Sequence, residues 1–527
     1  MKRVLVTDGL SPVGVDYLRK EGLEVETVPT LAEAELIARL PGLHGLIVRS
    51  ATRVTRAVVE AGPDLVVIGR AGAGVDNIDV GAATERGVIV MNTPGGNTIA
   101  VAEHTIGLLL ALARNLPQAH GALKAGRWEK SRYAGVELYN KVLGVVGLGR
   151  IGSEVARRAL GLSLKVIAYD PYLPREAAER LGVESVELDE LFQRSDFISI
   201  HTPLSKDTRN FIDAAQFARM KAGVRIINCA RGGVVNEAAL ASAIRAGRVG
   251  GAALDVFEQE PLPAGHPLLG LDQVIVTPHL AASTEEAQST VALAIAEQVA
   301  ATLLRGLVLN AVNMPSADAE TLRELAPYFA LAERLGSFLA QLAEGRLAEA
   351  RLAYGGGLAE QPTDALTLAF LRGLLNVILE ERVTAVNAPL VARARGLRVV
   401  ETSTPDSGGF ASLLGATLAT DRGEWSVAGA LFNHREPRIV RIDGYPLEAV
   451  PQGWMLVFAN LDVPGVVGRI GTLCGRHHIN IAGMQLGRER RGGRAVSILN
   501  LDDPVPEAVL DEIRAMPDIV LAKLVKL

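Results

Sequence analysis

Short apolar runs alternate along the chain with longer stretches whose apolar positions recur every three or four residues. The short runs predict strands over residues 3–7, 24–28, 45–48, 65–69 and 88–91, and the longer stretches predict amphipathic helices between them. That alternation is the pattern of a parallel sheet with helices on its faces. A nearly continuous apolar segment over 98–113 predicts a buried helix, and a polar connection follows it. The strand and helix rhythm then resumes, with strands ending at Val146 and near Asp170 and further strands at 197–201, 225–228, 252–255 and 274–276. A helix is expected over 284–305, stopping near Gly306, and residues 314–318 read as a linker.

Beyond the linker the pattern changes. Residues 315–453 are rich in Ala, Leu and Gly, with Gly355-Gly356-Gly357 between a strand-like and a helical stretch, and their chemistry is opaque. From Trp454 the order is strand, turn at Asp462-Val463-Pro464-Gly465, helix to about His477, strand, hairpin at Arg491-Gly492-Gly493, strand, helix, strand. That β-α-β-β-α-β order predicts a ferredoxin-like unit. The expected architecture is α/β: two doubly wound parallel-sheet domains plus two α+β domains. The first domain combines 1–97 with 283–314, the second spans 98–282, and the others span 315–453 and 454–527.

Composition narrows the class. In 527 residues, 49% are hydrophobic and 21% charged, with a net charge of -5, which argues against a nucleic-acid or membrane-surface partner. Cys229 and Cys474 are too few for a disulfide framework and fit a reducing compartment. After Met1-Lys2-Arg3 only Val4-Leu5-Val6 precede Thr7 and Asp8, so the apolar core of a signal peptide is missing. The apolar segments at 106–113 and 291–304 are too short, or carry Glu297, so no membrane span is expected and the cytoplasm is the default. No metal is expected.

The candidate chemistry starts at Lys141–Gly152, an apolar strand running into Gly147-Leu148-Gly149-Arg150-Ile151-Gly152. Gly147 allows a tight turn, Gly149 lets the main chain approach a pyrophosphate, and Gly152 lets the following helix pack close, with its positive end toward the phosphates. Asp170, closing Val166-Ile167-Ala168-Tyr169, would accept hydrogen bonds from ribose hydroxyls and repel a 2′-phosphate, which favours NAD over NADP. Later strand ends carry Asn228-Cys229-Ala230-Arg231, the segment Leu254–Pro261, and Thr277-Pro278-His279. Oxidation of a 2-hydroxy acid needs a base, a cation for the carboxylate or carbonyl, and a hydride acceptor. His279 suits the base, Glu260 would hold the imidazole in one tautomer, and Arg231 offers a bidentate fork. Val48-Arg49-Ser50-Ala51-Thr52-Arg53 leaves a strand with two arginines, and the amides of Ala71-Gly72-Ala73-Gly74 could cradle a carboxylate.

These motifs together resemble the D-2-hydroxyacid dehydrogenase family, and the similarity covers essentially the whole chain, matching the long members with two regulatory domains. The resemblance implies a catalytic set of Arg231, Glu260 and His279. It implies NAD contacts at Arg150, Ile151, Asp170, Thr202, Cys229, Ala230, Arg231, Asp255 and the segment from His279 to Ala282. It also implies NAD-dependent oxidation of 3-phosphoglycerate to 3-phosphohydroxypyruvate, the first step of L-serine biosynthesis, with Arg49 on the substrate anion, Arg53 on its phosphate and residues 71–74 as a cradle. Within the family the rival is a glyoxylate or hydroxypyruvate reductase. From another class, it is an NAD-sensing scaffold without turnover. The tail resembles an ACT module, in which Asp462 and Asn480 would hold a small amino acid such as L-serine; Asn460 departs from the aromatic residue found there in some serine-inhibited relatives. Arginines in the stretch His434–Tyr445 are candidates for an anionic effector or an exposed charged face. The resemblance further implies a homotetramer, with one interface near 98–139 and another through the tail, and Arg132 reaching a neighbouring subunit.

Overall fold

The structure is a computed structural model that describes residues 1–315 and 319–527; the part of the expected linker at 316–318 lies outside the described residues. Four sheets follow one another along the chain. The first holds β1 (Arg3–Val6), β2 (Glu24–Thr27), β3 (Gly45–Val48), β4 (Val67–Arg70) and β5 (Ile89–Met91), all parallel, in the order β2-β1-β3-β4-β5. β4 starts later than the apolar run at Leu65 suggests, because the Leu65 N–H closes a turn on the Gly62 carbonyl at 3.1 Å. One face of this sheet buries Val4, Val6, Ile47 and Val67 against the helix Glu285–Arg305, so the chain returns from far downstream to complete its first core. By length and apolarity alone that helix would pass for a membrane span; here Val291, Ile295, Ala296 and Val299 are buried against the sheet.

The second sheet comprises β6 (Val142–Val146), β7 (Lys165–Tyr169), β8 (Glu184–Ser185), β9 (Phe197–Ile200), β10 (Val224–Asn228), β11 (Val249–Leu254) and β12 (Val274–Val276). All pairings are parallel, in the order β12-β11-β10-β9-β6-β7-β8. The order reverses between β6 and β9, and an open α/β sheet splits into a ligand crevice at such a point. β11 begins three residues before the expected strand, because Gly250 and Gly251 carry no side chain to mark it. The helices Thr98–Arg114 and Arg150–Gly161 cover one face, with Leu109 and Leu112 packed among Val145, Val155 and Ala253.

The third sheet holds β13 (Leu347–Gly356), β14 (Arg398–Thr404), β15 (Ser412–Thr420), β16 (Gly423–Phe432), β17 (Glu436–Ile442) and β18 (Tyr445–Ala449) in the order β14-β13-β15-β16-β17-β18. Only the β13–β14 pair is parallel. The fourth is antiparallel: β19 (Trp454–Leu461), β20 (Ile481–Arg488), β21 (Arg494–Leu501) and β22 (Ile519–Lys526), ordered β20-β21-β19-β22, the ferredoxin-like arrangement anticipated. Its helices bury Leu456, Phe458, Leu499 and Leu501 on one face. The other face, Met455, Val457, Val496, Ile498 and Val525, joins the core of the third sheet and its helices. The Gln341 amide bonds both the N–H and the C=O of Lys526, each at 2.9 Å, capping an edge strand that would otherwise leave those groups open.

Candidate active site

The working residues sit where parallel strands end. At the switch point of the second sheet, Gly147 (φ 90) turns the chain out of β6 and the helix Arg150–Gly161 starts just beyond the turn. A Cβ on Gly152 would collide with the Gly147 carbonyl, so only glycine lets this helix sit so close to the turn. Nothing lies within 4 Å of where a Cβ on Gly149 would be, which leaves open space at the helix N-terminus. Asp170 follows β7 and accepts the N–H groups of Leu148 (2.8 Å) and Tyr172 (2.9 Å), tying the glycine turn to the next loop while lone pairs remain for a ribose. Across the crevice the buried Thr202 hydroxyl has no partner among the described residues, as expected of a group that meets a ligand. These features fit a dinucleotide. Cys229 is buried, and desolvation pushes its thiol up to about 12, so it stays protonated and unreactive.

His279 stands after β12 at φ 54, and its Nδ1 lies 2.8 Å from Glu260 Oε2. Glu260 Oε1 accepts the Phe257 N–H at 3.0 Å, so both oxygens are fixed. Burial alone would raise the Glu260 carboxyl; the His279 bond and the Phe257 amide outweigh it and hold it below the usual carboxylate range. With Nδ1 engaged, Nε2 is the ring nitrogen left for substrate. Both side chains are part-exposed, at 44% and 38%, so the pair opens onto solvent. Arg231, after β10, reaches across to the first sheet, where its Nε donates to Asp76 Oδ2 at 3.0 Å and its guanidinium lies against Gly74. One arginine therefore links the two sheets.

Asp255 is fully enclosed. Its carboxylate accepts the N–H groups of Leu280 (2.8 Å) and Ala281 (2.9 Å) and the Thr277 hydroxyl (2.6 Å), and its carbonyl accepts the His279 N–H at 2.9 Å. The residue expected to touch the cofactor thus spends its oxygens on the turn that presents His279. His104 Nε2, 3.4 Å from Asp255 Oδ1, joins this cluster and was not anticipated; its apolar helical surroundings gave no hint of a polar role.

On the first sheet, Arg49 and residues 71–74 leave β3 and β4 on the same side. Arg49 lies in a loop clamped by Asp8 and Asn77. Asp8 accepts the N–H groups of Arg49 (2.9 Å) and Thr52 (3.0 Å), and the Asn77 amide donates to the Arg49 (2.7 Å) and Thr52 (2.6 Å) carbonyls. Asp8-Gly9 directly after β1 was a strand-end signal that could have been used. Arg70 was also missed: burial first, then the nearby Arg231 charge, lowers its guanidinium to about 10, so it stays cationic beside Arg231 and Arg49. Arg53 is exposed, apart from this cluster's hydrogen bonds. Arg132 pairs with Asp272 at 3.2 Å, just before β12 and so at the opposite end of the second sheet from His279.

In the fourth sheet the expected effector residues are already engaged. Asp462 accepts from Arg488 at 2.7 Å and from the Gly492 N–H, while Asn480 donates to Asp502 at 2.6 Å. Asn460 is buried, with its side-chain oxygen unpartnered among the described residues.

Residues 106–281 match the NAD binding domain of D-isomer specific 2-hydroxyacid dehydrogenases, 324–443 the D-3-phosphoglycerate dehydrogenase intervening domain, and 454–518 the ACT domain. The D-3-phosphoglycerate dehydrogenase of Methanocaldococcus jannaschii is 46% identical over 98% of each chain. The chain belongs to the D-3-phosphoglycerate dehydrogenase family. The order of the three matches also explains the long C-terminal half, since the third and fourth sheets are the family's intervening and ACT domains. Solved structures match over part of the chain. A protein from Thermus thermophilus is 37% identical with a TM-score of 0.54, covering 59% of this chain and 99% of its own. An NAD-dependent formate dehydrogenase from Staphylococcus aureus, in complex with NAD, is 29% identical with a TM-score of 0.54, covering 60% of this chain and 100% of its own.

Proposed function

We propose that the protein oxidises 3-phosphoglycerate to 3-phosphohydroxypyruvate with NAD, the entry step of L-serine biosynthesis. The observation that carries the reading is the His279–Glu260 pair at 2.8 Å, at the same strand ends as Arg231, which spans the cleft. Bound NAD supplies the acceptor for the C2 hydride. His279 Nε2 takes the hydroxyl proton, and Glu260, already bonded to Nδ1, stabilises the imidazolium that forms. Arg231 steadies the C2 oxygen and the carboxylate, exchanging part of its Asp76 pairing for substrate.

NAD would be held by the turn Gly147–Gly152 with Arg150 and Ile151, by Asp170 at the ribose, by Thr202, by Cys229 and Ala230 through their backbone, and by the turn from His279 to Ala282. Asp255 acts through that turn. Arg49, Arg53 and the amides of Ala71, Gly72, Ala73 and Gly74 take the substrate's two anionic ends. We divide the chain into a substrate domain (1–97 with 283–314), a cofactor domain (98–282), an intervening domain (315–453) and an ACT domain (454–527). L-serine is the proposed effector at Asp462 and Asn480, and a homotetramer the proposed assembly. The exposed Leu116, Leu123, Trp128 and Tyr139 offer an apolar face for one interface. We place the enzyme in the cytoplasm. Steady-state kinetics test the reading: kcat/KM with NAD and 3-phosphoglycerate should far exceed that for unphosphorylated 2-hydroxy acids, and a preference for glycerate or glycolate would replace it with the reductase reading.

A further inference from the structure

The segment 258–266, which contains Glu260, is tied down at both ends by one carboxylate that takes no part in the reaction described above. Glu237 Oε1 accepts the Glu258 N–H at 2.6 Å, and Glu237 Oε2 lies 3.0 Å from His266 Nε2. We propose that Glu237, with His266 behind it, is a positioning residue that aims Glu260 at His279; the inference rests on the role of Glu260 proposed above.

Three observations fix the path from one carboxylate to the other. The Phe257–Glu258 peptide is held on each side: the Phe257 ring is buried in the core, the Phe257 carbonyl sits so close to Gly232 that a Cβ there would collide with it, and the Glu258 N–H is on Glu237. The N–H one residue earlier, that of Phe257, is the group that bonds Glu260 Oε1. The Glu258 anchor lies between the Phe257 N–H and Glu260 in the chain, so letting Glu258 go would free the backbone that carries Glu260 to drift from its place 2.8 Å from His279. Gly232 is also the neighbour of Arg231, so the same close approach sets the spacing of the guanidinium and the carboxylate.

Glu237 is not needed where it stands for the helix it opens. The helix Glu237–Arg245 is capped by Asn236, whose side chain accepts the Ala239 N–H at 3.0 Å. The Glu237 side chain is only 10% exposed and that of His266 18%. Burial raises the Glu237 carboxyl, and the Glu258 amide and His266 offset part of that rise. A carboxylate kept buried at such a cost does something its neighbours require. The Leu268 N–H points at His266 Nδ1 at 3.4 Å, which leaves Nε2 as the protonated nitrogen that donates to Glu237.

The test compares Glu237→Ala, Glu237→Gln, His266→Ala and Glu260→Gln in the full-length enzyme with NAD and 3-phosphoglycerate. Glu237→Ala should lower kcat about 30-fold, because a misplacement of roughly 1 Å can cost up to about 100-fold. KM for 3-phosphoglycerate and Kd for NADH should stay within about threefold, since neither site includes this loop. Glu237→Gln keeps an oxygen for the Glu258 N–H and should recover kcat to within about threefold of wild type, with His266→Ala falling between. A wild-type kcat in Glu237→Ala beside a crippled Glu260→Gln would overturn the inference and leave the reaction intact. So would a Gln variant no better than Ala, or NADH binding lost in step with kcat. Full activity in Glu260→Gln would instead sink the role of Glu260 itself. If Glu237→Ala does not fold, the remaining pair decides: slowed His266→Ala beside near-native Glu237→Gln supports positioning, and native kcat in His266→Ala refutes it.

Discussion

The cleft between the first two sheets and the turn region of the fourth sheet both present charged residues at loop ends, yet they treat them in opposite ways. In the cleft, polar groups are held in place and left partly unused: His279 keeps Nε2 open, the Thr202 hydroxyl is buried without a partner among the described residues, and so is Arg70 Nε. In the fourth sheet Asn460 Oδ1 is likewise buried without a partner among the described residues, but the two proposed effector residues, Asp462 and Asn480, are already paired with Arg488 and Asp502. Unpaired buried polar atoms cost stability, and a fold retains them where a ligand supplies the missing bonds. The cleft is therefore prepared in advance, whereas an amino acid arriving at the tail must displace bonds the chain makes with itself.

The sharpest way to break this contrast is to remove the open nitrogen. His279→Ala should lower kcat about 1,000-fold, within the usual range for loss of a general base, while Kd for NADH in a fluorescence titration moves by less than about twofold. A near-native rate would mean that the prepared cleft is not where the proton goes. Arg231→Lys comes next: it keeps the charge but loses the fork that bonds Asp76 and is proposed to meet the substrate, and kcat/KM should fall about 100-fold. A loss confined to KM would reassign Arg231 to ground-state binding.

The support beneath the cleft is tested by Asp255→Asn. An amide can serve one of the two backbone N–H groups that the carboxylate now satisfies, so the cofactor domain should lose about 1–3 kcal/mol, read from its urea midpoint. The effect carries a pH signature. Burial would raise Asp255, but bonds from His104, Thr277, Leu280 and Ala281 prevail and its pKa lies below the ordinary value. As pH falls, the unfolded chain takes up this proton before the folded one. The stabilisation is thus present above about pH 4 and disappears as pH drops through the folded pKa, so the wild-type advantage over Asp255→Asn should shrink in acid. A difference that is flat with pH would contradict this assignment.

The contrast between the two regions also separates what could be read from the chain from what could not. The glycine turn, Asp170 and the Arg231, Glu260 and His279 strand ends are local signals, each a residue type at a fixed offset from an apolar run; the fold sets Glu260 2.8 Å from His279 and carries Arg231 to Asp76 of the first domain. The clamps are not local. Asp8 holds Arg49 across 41 residues and Asp76 meets Arg231 across 155, and no periodicity marks such pairs. The shared core of the third and fourth sheets escaped for a related reason. Met455 and Val457 alternate with Leu456 and Phe458 in a strand apolar on both faces, which shows that both are covered and not by what.

The smallest effect belongs to the tail. The Arg488 guanidinium, with help from the Gly492 amide, holds Asp462 below the usual carboxylate range, so the group is ionised at neutral pH but already matched with a cation. An effector's ammonium group gains at Asp462 only what remains after Arg488 is displaced, and exposed pairs of this kind are weak. With L-serine as the effector proposed above, Arg488→Ala should therefore free the carboxylate and lower the concentration for half-inhibition by about threefold, with basal kcat unchanged because Arg488 lies in the fourth sheet, outside the proposed catalytic residues. Asp462→Ala should shift it the other way, to a higher concentration, since it removes the anion instead of its competitor. If Arg488→Ala weakens inhibition, the guanidinium is itself a ligand, most simply for the effector carboxylate, and the pair at 2.7 Å is part of the binding site and not an obstacle to it.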